Sequence, residues 1–274
     1  MAYHTRSNSF PSGPHPIIQE VDEHLCRLRS SEATSTSSSS IRHQLSGLKD
    51  LHDCVDRLVQ LPLTQQSLSQ EKNQKWTSEL LDGSLRLLDV CGIAKDSLLQ
   101  TKEYIQDLQS IIRRRGGEES GVLTSEVRKY LTSRKMMKKT IQKALVNLKA
   151  NRSTFSSLDN NQETIAVASK LRDIEAVTLT VLQSVLSFIS GPKSKPSSWS
   201  LVSKVVQSKR IACEEAKVNE FAEVDAAFKS IKNANAQNQL SNLESCIQDQ
   251  LEGLQCLFRQ LIKTRVSLLN ILNH

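Results

Sequence analysis

The side chains of this chain best suited to act as nucleophiles, bases or metal ligands are six histidines and six cysteines, and their spacing decides whether they can act together. His24 stands two residues before Cys26, and His52 two before Cys54. On a helix, residues two apart differ by about 200°, so each pair points to opposite sides. Cys26, Cys54, Cys91, Cys213, Cys246 and Cys256 include no C-x-x-C pair, the spacing that zinc and thiol redox centres use. His4, His15, His43 and His274 have no partner at metal-ligand spacing either. A Cys-His nucleophile would have to be assembled across separate elements. There is no glycine-rich phosphate loop of the Walker or Rossmann type, and Gly116-Gly117 reads as a helix reversal. The expectation is a protein that is not an enzyme and takes no cofactor and no metal.

Charge is more informative. Between Lys102 and Arg152 there are 13 Lys and Arg against five Asp and Glu, a local +8, while the whole chain carries +7. On a helix Arg128, Lys135, Lys139 and Lys143 gather opposite Met137, Ile141 and Leu148, with Arg134 and Lys138 at the margin. These six cations are candidate contacts for an anionic surface, a membrane or an acidic partner. The bland alternative is a solvated face of a bundle. A nucleic-acid backbone is disfavoured, because the basic stretch interleaves only Tyr130 for stacking on bases. A second candidate lies near the start, in Arg6-Ser7-Asn8-Ser9-Phe10-Pro11. Arg6 stands where basophilic kinases read it, and a phosphate on Ser9 with Pro11 two residues on fits the arginine cluster of a 14-3-3-type phosphoserine reader.

The elements that must carry these residues follow from periodicity. Met1 to Pro16, with three prolines and a glycine, reads as a disordered arm (1–16) with no apolar h-region and hence no secretory signal; a cytoplasmic protein is expected, membrane-peripheral or nuclear in the alternative readings. Ile17, Val21, Leu25 and Leu28 predict a short helix over 17–29, and the serine and threonine tract over 30–40 a linker that tethers it loosely. From 41 to 274 one helical bundle domain is expected. Its first helix is capped by Ser40 and ended by Pro62, with a polar bridge after it.

The spine of that bundle is Trp76 to Arg115. Trp76, Leu80, Leu87, Cys91, Ala94, Leu98, Ile105, Leu108 and Ile112 form one apolar stripe, and Leu81, Leu88 and Leu99 a second, so the helix should be covered on two sides. Gly83 and Gly92 are both read as places where a neighbouring helix comes close. A returning helix, 124–150, carries the basic face. The charge-free run Ala176 to Pro192 is at the short limit for crossing a bilayer and contains six Thr, Gln or Ser, so it reads as a central core helix. A further helix opens near Ser197, and the last one repeats apolar residues in steps of three and four from Ile247 to Leu272 like a coiled-coil seam broken by Arg265. The fold class is all-α, an antiparallel bundle of about six to seven long helices with a disordered N-terminal arm.

Trp76 with Glu79-Leu80-Leu81-Asp82-Gly83-Ser84-Leu85-Arg86-Leu87-Leu88-Asp89-Val90-Cys91-Gly92 is a distinctive run, as are the Arg113-Arg114-Arg115 helix end and the closing stretch. That stretch is Leu251-Glu252-Gly253-Leu254, Phe258-Arg259 and Thr264-Arg265-Val266-Ser267-Leu268-Leu269-Asn270-Ile271-Leu272. Together they resemble a plant-specific, all-helical family of unassigned activity grouped with the BYPASS proteins, over nearly the whole chain except the serine tract. The resemblance implies a role in root and shoot development. It supplies no catalytic residues. The expected function is that of a non-enzymatic interaction or regulatory protein, with a peripheral membrane protein using helix 124–150 as the alternative and a nuclear nucleic-acid binder behind both.

Overall fold

The computed structural model describes residues 15–31, 37–70, 75–114, 120–150, 162–191, 219–229 and 236–273. Among them are eight helices and no strand: α1 (Pro16–Ser31), α2 (Ser38–Val59), α3 (Pro62–Gln70), α4 (Lys75–Arg114), α5 (Ser120–Ala150), α6 (Gln162–Ser190), α7 (Glu220–Lys229) and α8 (Ala236–Asn273). The all-α bundle read from the sequence is the observed fold. The arm with Arg6, Ser9 and Pro11, the glycine pair after the spine, the helix start near Ser197 and Cys213 lie outside the described residues.

α4 is the spine, about 60 Å long at 1.5 Å per residue. Its predicted stripe is the buried one: Trp76, Leu87, Cys91, Ala94, Leu98, Ile105 and Leu108 are buried, and Leu80 and Ile112 pack against the core at its edge. The second stripe is only half covered. Leu81 and Leu88 touch the core but Leu99 is 41 % exposed, because the neighbours of α4 are α8, α6 and α5 and its outer face meets none of them. The two glycines also part company. A Cβ on Gly83 would run into the Glu175 carboxylate of α6, whereas a Cβ on Gly92 would meet nothing within 4 Å, so only Gly83 marks a close approach.

α1 and α2 run antiparallel, as the pairs Glu20 with Arg57 and Ser31 with Gln44 show, and so do α4 and α5, where Thr101 donates to Met137 across 3.5 Å and Asp107 acts on Lys129. α4 and α8 also run antiparallel, as the pairs Ser84 with Arg265, Lys102 with Gln248 and Gln106 with Glu244 show. α2 and α8 instead run the same way, since Arg42 pairs with Asp249, Asp53 with Gln260 and Asp56 with Lys263. No short loop joins those two, so nothing forces a reversal. α6 lies against α4, α2 and α5, and Val181, Leu182, Val185, Leu186 and Ile189 are fully buried. It is the one helix among the described residues long and apolar enough to cross a bilayer, and here those residues fill the core.

Three local expectations are corrected. Ser37, not Ser40, caps α2: its hydroxyl accepts from the Ser40 amide at 3.3 Å, and Ser38 to Ser40 form the first turn, while α1 continues through Ser31. Pro62 opens α3 where a polar bridge was expected; a missing amide costs nothing at the first helical position, and Gln65 donates to the Leu61 carbonyl at 2.9 Å. α1 is not loosely held. Ile17, Val21, Leu25 and Leu28 are buried, Arg57 of α2 reaches Glu20 at 2.6 Å, and the Gln44 amide donates to the Ser31 carbonyl.

Candidate functional site

α5 packs on α4 and α6 and turns its opposite side to solvent. The same periodicity that buries Leu123, Tyr130, Met137, Ile141 and Leu148 puts Arg128, Lys135, Lys139 and Lys143 in the open. All four are exposed and none makes an ion pair among the described residues. Arg128 and Lys143 are 15 residues apart, roughly 22 Å of helix. Met136 and Val146, 59 % and 53 % exposed, sit among them, so the face is both cationic and partly apolar. A surface of this kind attracts anions electrostatically and can bury two side chains on contact.

Arg134 and Lys138, expected on that face, are spent elsewhere. Arg134 is 2 % exposed. Its Nε and a terminal nitrogen donate to the two Asp225 oxygens of α7 at 3.1 and 3.4 Å, and the same terminal nitrogen donates to the Ile189 carbonyl at the end of α6 at 2.9 Å. Lys138 donates to Asp225 at 2.7 Å, and the Tyr130 hydroxyl donates to the same carboxylate at 2.9 Å. The guanidinium lies 4.9 Å from the centre of the Phe221 ring, which stacks edge-on against Phe188. Burial pushes the Asp225 carboxyl up, but Arg134 and Lys138 outweigh it and hold the carboxyl below its ordinary value. Burial and the Asp225 charge raise the Tyr130 phenol, which stays protonated and donates. The cluster ties α5, α6 and α7 together, with Arg134, Tyr130 and Asp225 buried and Lys138 half-buried at its edge.

The signal for this cluster was present. Arg134 falls between Tyr130, Met137 and Ile141 at spacings of four, three and seven, inside the apolar stripe rather than at its margin. Asp225 likewise sits among Phe221, Val224 and Phe228. A charge on each of two apolar stripes predicts a buried pair, since neither could be buried alone.

The described histidines and cysteines do not converge. Among the described residues no group of three His, Cys, Asp or Glu side chains is placed to hold a metal ion. His52 is buried, its Nε2 3.0 Å from Thr178 Oγ1 of α6. Because the Thr178 hydroxyl itself donates to the Ile174 carbonyl, Nε2 carries the proton and Nδ1 is left bare, buried and without a partner. Burial lowers the His52 pKa to about 4. Cys91 contacts the Leu254 carbonyl, and burial pushes its thiol, like that of Cys246, up to about 12, the wrong direction for a nucleophile.

Compared with known proteins, the chain matches the family model described as Protein BPS1 over residues 44–271. No curated protein and no solved structure matches it.

Proposed function

The chain belongs to the BPS1 family, whose membership points to a role in plant development, and from that premise we propose that it is a non-enzymatic interaction protein of root and shoot development. Its working surface is the exposed face of α5, which meets an anionic surface on the cytoplasmic side of a membrane. One observation carries the proposal: Arg128, Lys135, Lys139 and Lys143 are exposed together on a rigid helix and spend no charge inside the fold. Among the described residues the histidines and cysteines stand apart and the buried Cys91 and Cys246 thiols are held protonated, which supports binding over catalysis.

Co-sedimentation with vesicles tests the reading. Vesicles containing phosphatidylserine should retain the protein at low salt and release it at high salt, and vesicles of neutral lipid should not retain it. Each juxtamembrane cation contributes about 1 kcal/mol, so replacing Arg128, Lys135, Lys139 and Lys143 by glutamine should weaken binding by roughly 4 kcal/mol while helix content is kept. Arg134 and Lys138 are left untouched, because their loss would strand Asp225. Equal retention of the variant and the parent would remove α5 as the contact.

A further inference from the structure

The outer face shared by α4 and α5 carries a second stripe of charge. Asp82, Asp89, Asp96 and Glu103 recur every seven residues along α4, followed by Asp107, and all five are exposed. None of them makes an ion pair among the described residues. On a helix wheel these five lie within about 60° of one another, on the side that looks out over α5. Between this acidic edge and the basic edge of α5 runs a groove whose apolar lining is Ile93, Leu99, Met136 and Met137. Leu99 and Met136 are among the most exposed large apolar residues of the chain. The face thus has one acidic side, one basic side and an apolar middle.

We propose that a second copy of this chain covers the face, in a two-fold dimer whose axis lies in the interface along the helices. Such an axis places α4 of one copy over α5 of the other, acid on base, and groove on groove. It also preserves height along the bundle, and the contact of Thr101 with Met137 fixes which residues are level. Counting outward from that contact in opposite directions, Glu103 stands at the height of Lys135, and Asp96 between Lys139 and Lys143. Glu103 and Asp96 of one copy therefore each meet cations of the other, and the two-fold repeats both pairings, as an isologous contact requires. Copies related by any other stacking would set acid against acid or leave both stripes unpaired.

Two helices of this length and spacing offer about 600 Å² per copy, the lower end for specific contacts, so the dimer is expected to be reversible and salt-sensitive. It closes the lysines that the proposed membrane contact needs. Self-association and binding to an anionic surface exclude one another, and the dimer is the form with that surface shut.

Sedimentation velocity on the full chain at 5 to roughly 100 µM tests the dimer, a range set by the weak affinity such an area gives. At low salt the mass should be twice the 30.7 kDa of the chain, falling to the single-chain value at high salt. Asp96→Lys with Glu103→Lys should give monomer at low salt, as should Lys135→Glu with Lys143→Glu, and the four changes together should restore the dimer. All four positions are exposed, so folding is unaffected, which circular dichroism checks. The acid-to-lysine variant keeps the α5 cations; its vesicle binding should match or exceed the parent's, which separates failure of the dimer from failure of the membrane reading. A parent that stays monomeric at the highest concentration and low salt, reversals that leave the dimer intact, or a four-fold variant that stays monomeric would each overturn the proposal.

Discussion

Arg134 and His52 show how one buried polar side chain can be satisfied and another left wanting. The Arg134 guanidinium is out of water, which costs several kcal/mol for an ion, yet it has a carboxylate, a carbonyl and an aromatic face around it. His52 has one hydrogen bond and an orphaned Nδ1. Adding a proton there would put an unpaired N–H and a charge into the contact between α2 and α6. The unfolded chain pays no such cost, so below pH 6.5 it binds a proton that the folded chain refuses until about pH 4. Stability should fall with pH across that window, by about 2 kcal/mol between pH 7.5 and 5 from this residue alone. Denaturant titrations of the parent and of His52→Gln at the two pH values measure it. If both proteins lose the same stability, His52 is not the source.

At the scale of the helix, the fold was largely legible because long helices announce themselves: the α4 stripe and the burial of Tyr130, Met137, Ile141 and Leu148 on α5 follow from a period of 3.6. Periodicity says which face is apolar but not which neighbour arrives there. That is why Leu99 was expected to be covered, and why Gly83 and Gly92 received one explanation although only Gly83 has a carboxylate pressed against it. The difference can be measured. Alanine at Gly92 gains helix propensity in open space and should stabilise by about 0.5–1 kcal/mol. Alanine at Gly83 gains the same propensity but must displace Glu175, which Arg86 holds at 2.9 Å, and should lower the melting temperature. Thermal unfolding of the two single variants decides; equal shifts of the same sign would place Glu175 elsewhere. The buried cluster escaped for a related reason: whether Arg134 is buried depends on a neighbour, and that neighbour, Asp225, is 91 residues away.

For the whole molecule, the question is how much chain is needed to close the core. The family match begins at residue 44, inside α2, and leaves α1 outside it. The serine tract made α1 look separable, since composition alone cannot show that the helix before a linker folds back. Yet Ile17, Val21, Leu25 and Leu28 are between 0 and 4 % exposed, and Leu28 lies so close to Gly47 of α2 that a Cβ there would come within 2.9 Å of it. Four apolar side chains at 1.5–3 kcal/mol each contribute roughly 6 kcal/mol or more, even before the facing residues of α2 are counted. Total stability for a domain is only about 5–15 kcal/mol. The ion pairs between α1 and its neighbours, Glu20 with Arg57, Asp22 with Lys170 and Arg29 with Asp173, lie at or near the surface and add little. A chain beginning at Ser37 should therefore expose the apolar face of α2 and lose cooperative melting or aggregate, even though it keeps the entire matched region. Differential scanning calorimetry and size-exclusion chromatography compare it with the full chain. A truncated protein that stays monomeric and melts within about 2 °C of the parent, less than a 1 kcal/mol change would produce, would show that α1 is an accessory and that α2 is buried by the rest of the bundle.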